Sequence, residues 1–531
     1  MQASTLSSDG VMTDGAGRRP LAAHSTGSRL LQNTISNIAG QVFIAVLTLF
    51  STPYITRKLG ATQYGALSLL MTFLFAFSLL NLGINASLVK YMAELMPKGR
   101  MEDVQKYFST SLTVLVGIGV LIGVSVCILA PVIVRTSFKG PKELTESAVL
   151  ALRIASAAFI LQFLTQVLSA VPAAAQRFEI VNLVRAGTES LRIMGTMGLL
   201  FLGCGLPSLM GMVLLSSLVG CTVFAIVSKR LIPTLSLAPG FSKGYLRSLV
   251  RHSKYIVLTN ASNQAVSAAD TFLIGFFLPI ANVAYYAIAY TLAQRMWTFV
   301  ANIVSVVFPA ASAFSGAEQG EHLKELYIRA TKIGVAVGCF PAVAICVFSR
   351  PFLLSWLGSE YAREGSTALA LLTLGFLINS FSYVAYQVLQ GTRHARIAAI
   401  GSVTYMFVNL MLFLILIPTF GILGASAGFL IAQLLFVPWF IGKANDLIGV
   451  PWRPMLREAY LPAFVCASTA AVICLAFLGW VHSFLMLAIA VLSGMLVYTA
   501  LGIPLILDAR DRAAGRLMLE RWAHTFREVT R

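Results

Sequence analysis

The sequence predicts an all-α polytopic membrane protein with about 14 transmembrane helices, and composition is the first observation behind this prediction. The chain has 531 residues, of which 57% are hydrophobic and 11% are charged, whereas a soluble domain carries about 25% charged residues. Its mean hydropathy is +0.81. Apolar runs of roughly 20 residues recur between residues 30 and 508. Each is long enough to cross about 30 Å of hydrocarbon as a helix.

These apolar runs divide the chain into fourteen predicted spans. Proline and glycine inside some of them are compatible with the assignment, because neighbouring helices can satisfy the backbone groups that these residues free. The connections are short, which leaves no room for a second folded domain between the spans. The spans are predicted at 31–56, 64–89, 107–134, 147–174, 179–203, 207–228, 255–278, 282–312, 328–349, 366–390, 395–418, 422–442, 459–481 and 483–507.

Lys and Arg are distributed unequally between the two sets of connections. With a cytoplasmic N-terminus, the cytoplasmic segments hold 28 of the 39 Lys and Arg residues, and the opposite loops hold 7. Because basic residues accumulate on the cytoplasmic side, both termini are predicted to be cytoplasmic. Basic loops facing anionic lipid headgroups explain most of the net charge of +18. The charge therefore gives no indication of a nucleic-acid partner.

Two stretches of the chain match at an offset of 216 residues. QRF at 176–178 corresponds to TRH at 392–394, and GLPSLMGM at 205–212 corresponds to GILGASAG at 421–428. The alternative is chance similarity between glycine-rich membrane segments, but the shared offset favours a repeat. Each copy would hold six spans, so both copies insert the same way up, as in transporters that bind substrate between two parallel repeats.

The repeat divides the chain into two lobes, joined by a basic and amphipathic segment that is typical of a helix on the membrane surface. The predicted units are a disordered cytoplasmic tail (1–29), an N-terminal six-helix lobe (30–230), a cytoplasmic amphipathic linker (231–254), a C-terminal six-helix lobe (255–446), helices 13 and 14 (447–508) and a basic cytoplasmic tail (509–531).

Charged residues inside the predicted spans are the main indication of function. Each costs about 2.5–3.5 kcal/mol at the membrane centre on an insertion scale, which favours a watery cavity or a charged partner. Their formal charges sum to +2. The residues are Arg153, Arg185, Glu189, Arg192, Asp270 and Arg295.

The fifth span carries three of these charges on one helical face. Arg185, Glu189 and Arg192 follow one another at intervals of four and three residues, which aligns them along a helix. Either they face a substrate, or they form a structural network that fastens this helix to a neighbour. Their counterparts in the second repeat are uncharged, so the repeated architecture does not itself require charge here. Those counterparts are Gly401, Tyr405 and Val408.

Further polar stripes at helical spacing predict a broad hydrophilic cavity, although singly such residues more often join helices. Asp270 has two interpretations, a site of ion coupling or an ion pair with Arg295. The stripes comprise Asn33, Asn37 and Gln41 in span 1, Asn260, Asn263, Gln264, Ser267 and Thr271 in span 7, Thr291, Thr298 and Asn302 in span 8, and Asn379, Tyr383, Gln387 and Gln390 in span 10.

The sequence lacks the motifs of several enzyme classes. It contains no GxxxxGK[ST] phosphate loop and no HExxH motif. The seven cysteines form no CxxC pair, so neither a metal site nor a disulfide framework is indicated. The protein is therefore predicted not to be an enzyme and to need no cofactor or metal.

Three segments of the chain have the pattern of a known family of membrane proteins. They are TPYITRKLGATQYGALSLLMTFLFAFSLLNLGINASLVKYMAE (52–94), AADTFLIGFFLPIANVAYYAIAY (268–290) and FGILGASAGFLIAQL (420–434). These segments resemble the Wzx-type polysaccharide flippases of the multidrug/oligosaccharidyl-lipid/polysaccharide exporter superfamily. They are diffuse helix patterns rather than a diagnostic motif, within a resemblance that covers roughly residues 30 to 510.

The resemblance implies a multi-pass protein of the bacterial inner membrane, with two six-helix lobes, two extra helices and a cationic cavity. Such proteins move undecaprenyl-diphosphate-linked oligosaccharide repeat units from the cytoplasmic to the periplasmic leaflet, for lipopolysaccharide or exopolysaccharide assembly. Their implied partners are the polysaccharide polymerase and the chain-length machinery. The expected ion-coupling residue, for a proton or sodium gradient, is Asp270, and the expected substrate-binding residues are Arg185, Glu189, Arg192, Arg153, Arg295, Asn37 and Gln41.

Two other transporters remain as alternatives. A lipid II flippase of peptidoglycan synthesis would also have a cationic interior and is expected to have fourteen helices. A multidrug/cation antiporter is less compatible, because its cavity should be acidic, whereas the spans here hold four arginines and two acids. A membrane-embedded polymerase or ligase would need a longer periplasmic loop. A scaffold would not require a charged interior.

Overall fold

The computed structural model describes residues 23–77, 84–305, 307–316, 319–392 and 394–507, and this part of the chain is all-α. The helices are α1 (Ala23–Phe77), α2 (Ile84–Leu95), α3 (Met101–Ser137), α4 (Lys142–Ala174), α5 (Phe178–Phe201), α6 (Leu206–Leu231), α7 (Lys243–Phe277), α8 (Ala281–Val304), α9 (Val307–Gly316), α10 (Gly320–Leu357), α11 (Ser359–Gly391), α12 (Ala395–Ile448), α13 (Trp452–Pro454), α14 (Leu461–Phe477) and α15 (Phe484–Ile506).

Nine helical segments in the described ranges are long and apolar enough to cross a membrane. This confirms a multi-pass membrane protein but not the predicted count of 14. Two of the nine consist of two helices that meet at a kink, at Gly60 in α1 and at Gly421 in α12, and each of these two segments covers parts of two predicted spans. The φ angles of these glycines, 70° and 62°, lie in the left-handed region that glycine adopts without steric penalty. Helices α5, α7 and α8 have the required length but carry the polar stripes, so they are too polar to be counted.

The ends of several elements differ from the predicted spans. The predicted span at 282–312 is two helices, since α8 ends at Val304 and α9 begins at Val307. The predicted span at 64–89 is shared between α1 and α2, and residues 78–83 between them lie outside the described part. The linker helix and span 7 are one continuous helix, α7, because no proline or glycine lies between Gly244 and Gly275.

The start of α7 packs on α3 rather than lying free on a membrane surface. The hydroxyl of Tyr245 donates to Asp103 Oδ1 at 2.6 Å, and this hydrogen bond is the main cause that lowers the pKa of Asp103. Upstream, the side-chain amide of Gln105 pairs with both backbone groups of Ser236, each at 2.8 Å. The segment between the two halves is therefore fastened to the first half.

The two halves meet where α3 ends and α8 begins. Lys139 Nζ donates to the carbonyl of Phe277 at 2.9 Å, and the Ile280 amide donates to the carbonyl of Lys139 at 3.3 Å. Gly65 allows α1 to approach this point closely, because a Cβ added there would lie 2.1 Å from the Ile280 oxygen. This is the end of the bundle that the distribution of Lys and Arg predicts to be periplasmic.

A proline in α1 provides a further link between the halves. Pro53 has no amide hydrogen, so the carbonyl four residues earlier, at Leu49, loses its usual donor within the helix. Trp356, near the end of α10, supplies the replacement, with its Nε1 donating to the Leu49 oxygen at 2.9 Å. A hydrogen-bonding group freed within the first half is therefore satisfied by the second half.

Candidate functional site

The polar face of α5 points away from the exposed apolar face of the same helix. Leu183, Met194 and Phe201 have exposed fractions of 74%, 64% and 78%, and they lie within about 20° of one another at about 100° per residue. Arg185, Glu189 and Arg192 are centred on the opposite side of the helix. Because the most exposed apolar side chains face lipid, the charged side chains face the interior of the bundle.

Glu189 and Arg192 form an ion pair on this face. Arg192 donates to Glu189 through Nε, at 3.0 Å from Oε2, and through a second nitrogen to the other carboxylate oxygen. The two side chains keep exposed fractions of 34% and 29%. Since this two-point geometry uses part of the guanidinium only, donors of Arg192 remain available. Glu189 therefore holds Arg192 in place without covering it.

Arg185 is exposed and forms no side-chain hydrogen bond or ion pair with any residue that the structure describes. It lies about 10 Å from the start of α5, at about 1.5 Å per residue, and Arg192 lies about 14 Å from its end. A network of all three charges was one of two predicted arrangements. The structure contains the pair Glu189–Arg192 and leaves Arg185 outside it.

Helix α8 presents a second cationic position. Thr291, Arg295 and Asn302 are exposed and lie on one side of α8, within about 40° of one another at about 100° per residue. No ion pair involves Arg295 in the described part of the chain. Arg295 lies about 21 Å from the start of α8, and Arg185 lies about 24 Å from the end of α5. Measured from these helix ends, the two arginines therefore lie at similar depths.

The predicted ion pair between Asp270 and Arg295 is not formed. Asp270 is 1% exposed, and its carboxylate accepts from Tyr286 at 2.7 Å and from the Thr271 amide at 2.5 Å. Arg295 is exposed on the other side of α8 from Tyr286. A buried carboxylate with hydrogen-bond donors but no cation around it is costly in its ionised form. Asp270 therefore remains a candidate for binding a proton or a cation.

The remaining predicted site residues are not brought into this arrangement. Arg153 is exposed on α4, on the same side as Leu150, which is 52% exposed, and no described contact joins Arg153 to the arginines of α5. The side chains of Asn37 and Gln41 lie outside the described residues. No group of three or more His, Cys, Asp or Glu that could hold a metal ion occurs within the described ranges.

Sequence reasoning missed a buried polar network in the second half. Tyr405 accepts from Gln433 Nε2 at 2.8 Å and from Asn409 Nδ2 at 3.3 Å, and Gln433 accepts from Asn379 Nδ2 at 3.2 Å. Tyr405 occupies the position that Glu189 holds in the first repeat. The sequence signal for this network was Tyr405 itself, because a polar side chain at the position that matches Glu189 indicates a polar interior in both halves.

Comparison with known proteins agrees with this architecture. The chain is 24% identical over 484 residues to a probable low-salt glycan biosynthesis flippase, Agl15, of Haloferax volcanii, covering 89% of this chain and 95% of the relative. It is 19% identical over 435 residues to a putative O-antigen transporter of Shigella flexneri, covering 80% and 97%.

A solved structure shares the fold. The lipid II flippase MurJ in an inward closed conformation superposes with a TM-score of 0.68 at 17% identity, covering 88% of this chain and 98% of that protein. Residues 54–365 match the family described as polysaccharide biosynthesis protein. This confirms the resemblance found in the sequence, and the chain belongs to the polysaccharide biosynthesis protein family.

Proposed function

We propose that the protein is a flippase of the bacterial inner membrane. It moves undecaprenyl-diphosphate-linked oligosaccharide repeat units from the cytoplasmic to the periplasmic leaflet, by alternating access through a cationic cavity. The observation that carries this proposal is the inward face of α5, where Arg185 has no partner among the described residues and Arg192 is partly exposed. The names of the two curated relatives support the same class of substrate.

The chemistry of the face suits a diphosphate. A guanidinium offers planar, forked donors that match phosphate oxygens and stays charged at any physiological pH. Arg185 and Arg192 supply two such groups about two helical turns apart, and Glu189 offsets one of the two charges while orienting Arg192. Arg295 adds a third guanidinium from the other half. Arg153 has less support as a ligand, because it shares an exposed face of α4 with Leu150.

Asp270 is the proposed coupling residue. Its carboxylate is buried beside Tyr286 and Thr271, with no cationic side chain of the described residues next to it, so binding of a proton or a sodium ion would stabilise it. It lies on α7, whose cytoplasmic end is fastened to the first half at Asp103. Binding at Asp270 would therefore act on a helix that contacts both halves.

A lipid II flippase is the second candidate. The likeness to MurJ supports it at the level of fold only, because the identity is 17%. The family match over residues 54–365 favours a polysaccharide precursor instead. A multidrug/cation antiporter has less support, since exposed cationic side chains on α5 and α8 would repel a cationic drug.

Depletion of the protein in its own host distinguishes these candidates. Lipid-linked sugars would be extracted from depleted cells and identified by mass spectrometry, and their leaflet would be assigned with an impermeant sugar-modifying enzyme. We expect a polysaccharide repeat unit on undecaprenyl diphosphate to accumulate in the cytoplasmic leaflet. Accumulation of lipid II alone would favour the second candidate, and no accumulated lipid-linked sugar would reject both.

A further inference from the structure

We propose that α11 and α8 carry a sugar-binding strip, formed by Tyr383, Tyr386 and Gln390 of α11 with Trp297 of α8. The strip binds the sugars of the lipid-linked oligosaccharide, whereas the arginines of α5 bind its diphosphate. This proposal rests on the proposed function and divides recognition between the two halves of the chain.

The strip faces the inside of the second half. Leu374 marks the outer side of α11, with an exposed fraction of 40%. Tyr383 and Gln390 follow it by nine and sixteen residues, which places them about 180° and 160° around the helix at about 100° per residue. Both side chains are nevertheless partly exposed. Since lipid lies on the other side, the space that they face is internal.

Three rings of the strip contact one another. The rings of Tyr383 and Tyr386 are stacked, with centroids 5.9 Å apart and planes at 17°. The ring of Trp297 meets that of Tyr383 edge to face, at 5.5 Å and 72°. Each ring is thus held in one orientation by another, which gives a preorganised surface. Sugar rings present C–H faces that pack on aromatic faces, while tyrosine and tryptophan keep polar groups for hydrogen bonds.

Amide groups lie along the same surface. Gln390 donates to the hydroxyl of Tyr386, and Gln387 Nε2 lies 3.4 Å from the hydroxyl of Tyr383. Each amide and hydroxyl has further hydrogen-bonding capacity beyond these contacts. Tyr386 also lies beside Thr259 of α7, next to the exposed Asn260. Hydroxyl-rich ligands are recognised by this combination of rings and neutral donors and acceptors.

The strip contains no formal charge, whereas the inward face of α5 carries Arg185, Glu189 and Arg192. A diphosphate therefore gains nothing from the strip that water does not provide, whereas a glycan gains stacking and hydrogen bonds. The contribution of the strip should grow with the number of sugars, because each added ring brings more surface and more hydroxyls.

The test compares two lipids in vesicles reconstituted with the full-length protein. Both are undecaprenyl diphosphates, one carrying a single N-acetylglucosamine and the other an oligosaccharide of four sugars. Translocation of each is measured by its accessibility to an impermeant periodate reagent, for the wild type, Tyr383→Ala, Gln390→Ala and Arg185→Ala. The matched control is Phe381→Ala, because Phe381 lies on the outer side of α11 and packs on Tyr460 and Phe464.

We expect Tyr383→Ala and Gln390→Ala to lower transport of the tetrasaccharide at least tenfold and that of the monosaccharide less than threefold. Arg185→Ala should lower both equally, and Phe381→Ala should lower neither. Tyr383→Phe, which keeps the ring, should recover most of the loss. An unchanged ratio of the two rates in folded Tyr383→Ala and Gln390→Ala would overturn the strip. A wild type that moves neither lipid would instead reject the proposed function.

Discussion

At the scale of single residues, Arg185 and Arg192 differ in a way that their spacing did not reveal. Arg192 is held by Glu189 through two nitrogens, whereas Arg185 has no partner among the described side chains. An unpaired arginine within a membrane span is expensive unless water or a ligand reaches it. A structural role therefore explains the presence of Arg185 less well than that of the paired charges of α5.

The ion pair predicts the effect of Glu189→Gln. If Glu189 orients Arg192, the glutamine keeps one acceptor and loses the charge, so transport should fall about threefold to tenfold with unchanged protein abundance. Flipping rate and abundance are measured together, with Glu179→Gln at the start of α5 as the matched exposed control. A purely structural network predicts the reverse, a loss of abundance that exceeds the loss of transport per molecule.

Asp270 gives the second prediction at this scale. Asparagine cannot exchange a proton or neutralise a cation, yet it fills the same space and can still accept from Tyr286. We expect Asp270→Asn to retain abundance and to lose the dependence of transport on a proton or sodium gradient. Transport is measured in vesicles with and without each imposed gradient. Gradient-dependent transport by Asp270→Asn at the wild-type rate would exclude the residue from coupling.

At the scale of elements, the bend in α1 and the end of α10 determine how the halves meet. Trp356 Nε1 satisfies the carbonyl that Pro53 leaves free at Leu49, at 2.9 Å. Trp356→Phe keeps most of the packing and removes this donor. Losing a partly buried hydrogen bond costs about 0.5–1.5 kcal/mol, which is roughly a twofold to tenfold change in an equilibrium between two states. The contact between the halves should therefore open more often.

Labelling of an engineered cysteine measures this opening. Ala284 is fully buried at the approach of α1 to α8, so Ala284→Cys in a chain without native cysteines should react slowly with an impermeant maleimide. Trp356→Phe should raise that rate at least about twofold. The matched control is Trp439→Phe, because Trp439 is 45% exposed on α12. Equal labelling rates in the two backgrounds would show that this hydrogen bond does not hold the halves together.

The elements also show how far sequence reasoning reaches. Apolar runs predicted the helical class and most helix positions, since length and hydropathy alone determine whether a helix can cross a membrane. The predicted divisions between spans 1 and 2 and between spans 11 and 12 agree with the kinks at Gly60 and Gly421. The apolar runs did not predict that the linker continues into α7, because that feature depends on tertiary packing. The charged face of α5 followed from spacing. Periodicity did not predict that Glu189 pairs with Arg192 rather than with Arg185, or that the Asp270 carboxylate accepts a hydrogen bond from Tyr286. Both contacts depend on side-chain rotamers and on neighbouring helices.

At the scale of the whole molecule, the bias of Lys and Arg predicts both termini in the cytoplasm. Reporter fusions after Lys254 and after Arg396 should give cytoplasmic signals, and a fusion near Glu360 should give a periplasmic signal. The control is a fusion near Lys139, which contacts the start of α8 and should match Glu360. Opposite signals at Glu360 and Lys139 would contradict both the topology and the parallel repeat.

Contacts between the two halves lie at both ends of the bundle. The halves touch through Lys139, Ile280 and Gly65, at the end predicted to be periplasmic. The fastening of α7 to α3 through Tyr245 lies at the other end of the bundle. Within the described residues the halves are thus in contact at both ends of the bundle, and the charged face of α5 lies between these contacts.

Translocation by the arginine variants tests the central claim most directly. Wild type, Arg185→Ala, Arg192→Ala and the two Arg→Lys variants are reconstituted at equal abundance, and flipping of an undecaprenyl-diphosphate-linked oligosaccharide is measured. Losing one charge-assisted contact removes about 1.5–3 kcal/mol, so each alanine variant should be at least about tenfold slower. Lysine should restore only part of the rate, because it keeps the charge but loses the forked donors. Wild-type flipping by both alanine variants would contradict the claim that these arginines bind the substrate diphosphate.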